Sequence, residues 1–345
     1  MRRLFVLFNF TILIVYGAFF SVLKSEINMN NINEIFASVK INGKWGFIDK
    51  NGKIVIEPIF EFADQFNEGL ACVKINGKCG YIDEKGKFII EPTYENGLNF
   101  NEDIARVKLN GKYGFINKTG KFVIEPQYDV ALSFIQGYAM VNIKNDVRFI
   151  DKAGKRINKI KLYSAWRFSE GLARVSIENG KWGYIDKTGN FVIEPKYNNA
   201  LNFTEGLAGV LIGDKYGFVN PSGEVIIQPQ YGNIGGFHLG LARVGIYGKW
   251  GFVDKTGKLI IELKFNNAYD FSEDLACVEI NGKWGFIDRS GKVVIQPIYN
   301  SVRSFNKGLA AVQISRKYGF INKKGEIVIE AKFDDEISYA APGIN

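Results

Sequence analysis

Gly43-Lys44-Trp45-Gly46-Phe47-Ile48-Asp49 returns letter for letter at Gly282 to Asp288, and looser copies fill the chain between them. Aligned on the dipeptide before Phe-Ile-Asp, the copies fall at Trp45-Gly46, Cys79-Gly80, Tyr113-Gly114, Val147-Arg148, Trp182-Gly183, Tyr216-Gly217, Trp250-Gly251, Trp284-Gly285 and Tyr318-Gly319. Every step is 34 residues except the fourth, which is 35, and the extra residue falls near Glu178, in a turn where an insertion costs little. A fixed period of this length marks a repeat architecture in which each unit leans on its neighbours, so the 345 residues do not count domains in the usual way.

Turn chemistry divides each unit into three strands. In the second unit Leu70 to Ile75 forms one strand, and Asn76-Gly77 is a two-residue turn of the kind that needs positive φ at both central positions. Cys79 to Asp83 pairs back against it, which sets Ile75 against Lys78, Val73 against Gly80 and Ala71 against Ile82. Cys72, Lys74, Cys79 and Tyr81 share the other face. The recurrent glycine thus lies where another backbone or ring can approach closely. Asp83 opens the next turn and Gly86 closes it, as Asp49 and Gly52, and Asp186 and Gly189, do in their units. Phe88 to Glu91 is the third strand, which Pro92 is expected to end because it has no N–H to donate.

After the proline, apolar residues recur at threes, as in Phe60-Ala63-Phe66 and Tyr197-Ala200-Phe203. That spacing predicts a helical or 3₁₀ connector that inserts its last phenylalanine into the core, with Tyr339 in that place in the ninth unit.

Composition agrees with an all-β chain: aromatic content is 14%, with 38 Gly but only 8 Pro. The net charge of +8 is spread over the whole length with no basic block, which argues against a nucleic-acid partner. Arg2 and Arg3 precede an apolar run from Leu4 to Phe20, the layout of a signal peptide or signal anchor over residues 1–24. Residues 25–32 read as a short linker and 33–345 as the repeat array. The chain is therefore expected to be extracytoplasmic, either secreted, periplasmic or held to a membrane through its N-terminal segment alone.

The motifs Gly-Lys-Trp-Gly-Phe-Ile-Asp, Ile56-Glu57-Pro58 and Glu68-Gly69-Leu70-Ala71 resemble the WG-repeat family of bacterial proteins, also called KWG repeats, over about residues 33 to 345. The resemblance implies a β-rich repeat protein and brings no catalytic residues. The fourth unit departs from the pattern, with Val147-Arg148 for the aromatic and glycine and Asn158-Lys159 for Ile-Glu or Glu-Pro.

No catalytic residue, metal site or cofactor is expected. His238 is the only histidine, and it reads as an exposed residue of a connector. Three cysteines, Cys72, Cys79 and Cys277, give neither a disulfide framework nor a metal-ligand spacing. The Asp series is replaced by Asn117, Asn220 and Asn322, which fits turn capping rather than calcium. The glutamates Glu57, Glu91, Glu125, Glu194 and Glu262 recur too often for a catalytic pair, and Gln228 and Gln296 stand in for them, which fits hydrogen bonding. The Trp and Tyr series reads as mortar between units, with stacking on sugar rings as the rival. Arg106, Arg174 and Arg243 share one variable position beside those rings and are the candidate binding residues.

The architecture expected is an open β-solenoid-like array of nine three-stranded units, with a closed propeller-like ring as the alternative. Openness is preferred because nine units make a large ring and no strand is visibly split between the termini to latch it. The expected function is a non-enzymatic binding scaffold for a protein or polysaccharide partner. The alternatives are a structural spacer at the cell envelope and a subunit of an envelope hydrolase.

Overall fold

A computed structural model describes residues 35–336; the predicted leader, the linker and Tyr339 lie outside them. Nine antiparallel sheets follow one another along these residues, one per unit, and form a nine-bladed β-propeller. Blade 2 shows the plan: Phe62–Ala63, Ala71–Ile75, Lys78–Ile82 and Phe88–Tyr94, hydrogen-bonded in that order. Its central hairpin has the predicted register, with Val73 opposite Gly80 and Ala71 opposite Ile82. Asn76 and Gly77 have φ of 51° and 71°, the mirror-image turn that matches strand twist. The inserted residue of the fifth blade lengthens the same hairpin, whose strands meet at Ser176 and Trp182.

The connector is not helical. Ala63 sits in a two-residue strand that pairs with Lys74 and Val73 of the following hairpin, so residues that close one unit open the next blade. Spacing by threes arises because Phe60 ends one strand, Ala63 lies in the next and Phe66 sits in the loop beyond. Pro92 does not end its strand either. The strand runs to Tyr94 through a bulge: Tyr81 faces Ile90 and Cys79 faces Tyr94, so four residue steps on one side answer two on the other. Pro92 occupies the bulge, where no ladder bond is asked of it.

This bulge explains the glycine of the repeat. A Cβ on Gly46 would lie 2.6 Å from the Ile56 carbonyl oxygen, and on Gly251 2.4 Å from that of Ile261, closer than any side chain tolerates. Only hydrogen fits beneath the bulged strand.

The ring closes, which corrects the preference for an open array. Asp335–Glu336 joins the sheet of blade 1, with Lys40 opposite Asp335 and Val39 opposite Glu336. The Asp334 N–H also donates to the Lys40 carbonyl at 2.8 Å. The latch escaped the sequence reading because it is the short connector strand, not one of the three long ones. Behind it Ala37, Val39 and Ile48 of blade 1 pack with Ala311, Phe320, Ile329 and Phe333 of blade 9.

Nine core clusters lie between neighbouring blades, one per joint. At the centre of eight joints the aromatic ring of the Phe-Ile-Asp motif meets the connector phenylalanine of the next blade, from Phe47 with Phe66 at 4.9 Å to Phe286 with Phe305 at 4.8 Å. Their tilted or edge-to-face arrangement contributes about 0.5–1.5 kcal/mol per pair beyond area burial.

Gly285→Ala, which forces a methyl group to within 2.5 Å of the Ile295 carbonyl, is expected to cost about 3 kcal/mol in chemical denaturation. Acid unfolding should follow from the turn aspartates. Asp186, Asp254 and Asp288 have depressed pKa values, held down first by the neighbouring Thr or Ser hydroxyl and then by backbone N–H groups. A depressed folded-state pKa contributes stability that is present above the ordinary carboxylate value of about 4 and lost as pH falls through the folded value. The unfolding midpoint should therefore stay level on this account at neutral pH and drop below about pH 4; replacing all three by Asn should flatten the drop.

Candidate binding site

Arg106, Arg174 and Arg243 each reach from the first hairpin of one blade into the joint with the next. Their Nη1 atoms donate to the carbonyls of Ala131, Ala200 and Ala268, which belong to the short connector strand of the following blade. Each guanidinium also lies over rings, as expected from strand alternation: Arg106 over Tyr113 at 4.7 Å, Arg174 over Trp166 and Trp182 at 5.1 and 5.4 Å, and Arg243 over Trp250 at 5.3 Å. Burial lowers the pKa of Arg106 and Arg174. The three are set in three separate joints, where an N–H edge of each guanidinium is committed to holding blades together. The structure does not bring them into one site.

Other recurrent polar groups have joint or turn duties. The turn aspartate accepts from two backbone N–H groups, as Asp83 Oδ1 does from Lys85 and Lys87 at 3.0 and 2.9 Å. Glu57, Glu91, Glu125, Glu194 and Glu262, read as hydrogen-bonding, point outward on the third strand and are exposed. The acids that bind blade to blade are another series: Glu68 accepts from the N–H groups of Glu102 and Asp103, Glu102 from Gly137, Glu170 from Glu205 and Gly206, and Glu273 from Gly308. The Trp and Tyr series is half-buried in most units and flanks the joint clusters, while Trp45 is buried within one.

Two blades depart from the plan. In blade 7, His238 is not an exposed loop residue. It ends the strand Asn233–His238, and its Nε2 lies 3.7 Å from Asp270 Oδ2 in the next blade. Asp270 Oδ1 is also 2.9 Å from Arg243 Nε, near in distance but not aligned for a hydrogen bond. Gly235 makes room for this cluster, since a Cβ there would lie 2.5 Å from Asp270 Oδ1 and 2.6 Å from Arg243 Nε. The sequence signal was the pair Gly235-Gly236 in place of larger residues such as Leu201-Asn202, which is legible only once the register is known.

Blade 4 has no regular third strand. Its place is taken by the buried Asn158, whose Oδ1 accepts from Phe149 N–H at 2.8 Å and whose Nδ2 donates to the Ile160 carbonyl at 2.9 Å. With no bulge passing overhead, Arg148 replaces the glycine, and Arg148 and Arg156 both pair with Asp146 at 2.7 and 3.1 Å. A cleft of about 320 Å³ opens between this region and the third strand of blade 3, lined by Val123, Glu125, Tyr128, Arg148, Ile150 and Arg156. Asn158→Ala should leave the Phe149 N–H buried without its acceptor and cost about 2–3 kcal/mol by denaturant titration, whereas Lys159→Ala, on an exposed neighbour, should change little.

Cys72, Cys79 and Cys277 are buried free thiols. Cys72 and Cys79 are within hydrogen-bonding reach of each other; this contact pushes Cys72 up and, with Lys74 nearby, takes Cys79 down to about 7. Among the described residues no group of three or more His, Cys, Asp or Glu side chains is arranged to hold a metal ion, and no helix is long and apolar enough to cross a membrane.

Taken together, these features define a closed propeller built from tandem hairpin repeats. Nine consecutive stretches, at residues 45–79, 80–113, 113–146, 148–182, 182–216, 216–250, 250–284, 284–318 and 318–338, match the family described as WG containing repeat, and the chain belongs to that family. By sequence, no curated protein matches it. By structure it is similar to a protein titled "Crystal structure of the eukaryotic initiation factor", with a TM-score of 0.64 at 11% identity, over 87% of this chain and 97% of that one. The dihydro-heme d1 dehydrogenase NirN gives 0.46 at 11% identity over 76% and 73% of the two chains. BamB from Moraxella catarrhalis gives 0.40 at 12% over 74% and 94%. At such identities the first likeness speaks for the fold alone, and the other two carry no argument.

Proposed function

We propose that this chain is a non-enzymatic scaffold whose rigid ring offers an extended binding surface to a protein or polysaccharide partner at the cell envelope, where its N-terminal segment places it by export or anchoring. The observation that carries the reading is the division of labour among residues. Those that recur from blade to blade are spent on turns and joints, such as the turn aspartates, the Glu68 series and the Phe47–Phe66 pairs. Some positions that differ between blades, such as Tyr247 and Ile298, are left to the solvent, and on rigid folds exposed variable positions are where recognition is placed. The cleft beside blade 4 adds a concave feature found where the repeat is broken.

The test is retention of a partner by the full chain. Tagged protein, purified from its own producing cells after fractionation, is expected in an envelope or external fraction and to retain one discrete protein or glycan saturably. Finding the chain only in the cytoplasm would sink the envelope location. Retention of nothing from any envelope fraction, by protein shown to be folded, would sink the binding role and leave the spacer reading in its place.

A further inference from the structure

In blade 2 two cysteines occupy a pair of positions whose side chains touch in other blades. Arg106 with Tyr113, Arg174 with Trp182 and Arg243 with Trp250 hold the same two positions, and in each pair the guanidinium lies over the ring. The register explains why they meet. Cys72 faces Tyr81 and Cys79 faces Lys74, so the two cysteines are diagonal neighbours on one side of the hairpin, within reach of each other's side chains. Among the nine units only blade 2 puts a thiol at both positions; in blade 8 Cys277 is joined by Trp284.

The joint around this pair has also lost a methyl group. The short strand Asn96–Gly97 of blade 3 carries Gly97 where the corresponding strands bury Ala63, Ala131, Ala200 and Ala268. A Cβ on Gly97 would lie 2.9 Å from the Tyr81 hydroxyl, 3.2 Å from Cys72 Sγ and 3.6 Å from Cys79 Cβ. Tyr184 makes the same hydroxyl-to-carbonyl bond as Tyr81 with Ala200 beside it, so the tyrosine by itself does not call for glycine. The space that Gly97 leaves lets the two sulfurs rotate towards each other, and their thiols are already in contact.

We infer that Cys72 and Cys79 form a disulfide, which ties the central hairpin of blade 2 where other blades lay an arginine over a ring. The oxidant is a low-molecular-weight disulfide. The Cys79 thiolate attacks one of its sulfurs, releasing one thiol and leaving a mixed disulfide; Cys72 then gives up its proton, attacks the Cys79 sulfur and releases the second thiol. Both cysteines are oxidised, the donor disulfide takes up the two electrons, and the two protons end on the released thiols. Cys79 suits the attacking role because the hydrogen bond from Cys72 takes its pKa down to about 7, whereas burial pushes Cys277 up to about 12 and leaves it inert. Both members of the pair are buried in the closed ring, so the bond forms as the chain folds, before blade 3 covers the hairpin. The inference concerns the chemistry of the pair and holds whether or not the chain is exported.

The experiment refolds the reduced, denatured full chain with oxidised glutathione as the donor, confirms the fold by circular dichroism and alkylates the remaining thiols in denaturant. One reactive thiol per chain, that of Cys277, is expected in place of three. Trypsin cuts after Lys53, Lys74, Lys78 and Lys85, so the bond should hold peptides 54–74 and 79–85 together until a reductant separates them. Cys72→Ser is expected to abolish the linked peptides, and Cys277→Ser to leave them unchanged. Three alkylated thiols in protein shown to be folded would overturn the inference, as would glutathione retained on Cys79 as a mixed disulfide or a linkage that includes Cys277.

Discussion

Everything in this ring depends on the burial of one blade's face by the next. A four-stranded sheet this short, with strands of two to seven residues, encloses no core of its own. Each cluster is therefore assembled from two blades, as when Phe47, Ile48 and Ile56 of blade 1 are divided between the joints with blade 2 and blade 9. Stability resides in interfaces, and an array of such units gains most when no terminal face is left open. That is the physical reason for closure, and the two-residue latch at Asp335–Glu336 needs only to fix a geometry that apolar burial already favours.

Hydrogen bonds at the joints then set the register. Burial by itself does not direct one blade to a single place on its neighbour, but the Glu68 series reaching the next turn and the arginines reaching the next connector carbonyl do. Tyr81 and Tyr184 add the same kind of contact, their hydroxyls donating to the Leu98 and Leu201 carbonyls at 2.8 and 2.7 Å. In the sheet itself the third strand rejoins its own ladder beyond the bulge, with Tyr94 opposite Cys79, and the next short strand, Asn96–Gly97, enters the adjacent blade.

Much of this was legible from local chemistry. Asn76-Gly77 announced its turn, and the Val73–Gly80 register followed from it, because two-residue hairpins admit few alternatives. The glycine's need for close approach was also visible, though not that the approaching group is the bulged strand of its own blade. What the sequence concealed was non-local. Phe60-Ala63-Phe66 has a helix-like spacing, yet the segment is pulled straight by pairing with residues of the next hairpin, which no local propensity records. The latch was hidden for the same reason. At the candidate sites, the place of Arg106, Arg174 and Arg243 beside the rings was legible, whereas their reach into three separate joints was not, because strand alternation fixes a face and not the joint into which that face is packed. His238 and Asp270 stand 32 positions apart, and only the ring brings them together.

Closure by the last described residues has a consequence during synthesis. Ala37, Val39 and Ile48 are made early, yet the residues that cover them, Ala311, Phe320, Ile329 and Phe333, come nearly three hundred positions later. At about 5–20 residues per second a growing chain would hold that apolar face open for roughly 15–60 s. Eight blades can stack in order behind it, each shielding the one before, while the first remains an exposed sheet with an unpaired strand at its edge. The ring thus has a fixed seam, set by the order in which ribosomes deliver it, and this seam is the face that an incomplete or stalled chain presents to chaperones and to other copies of itself.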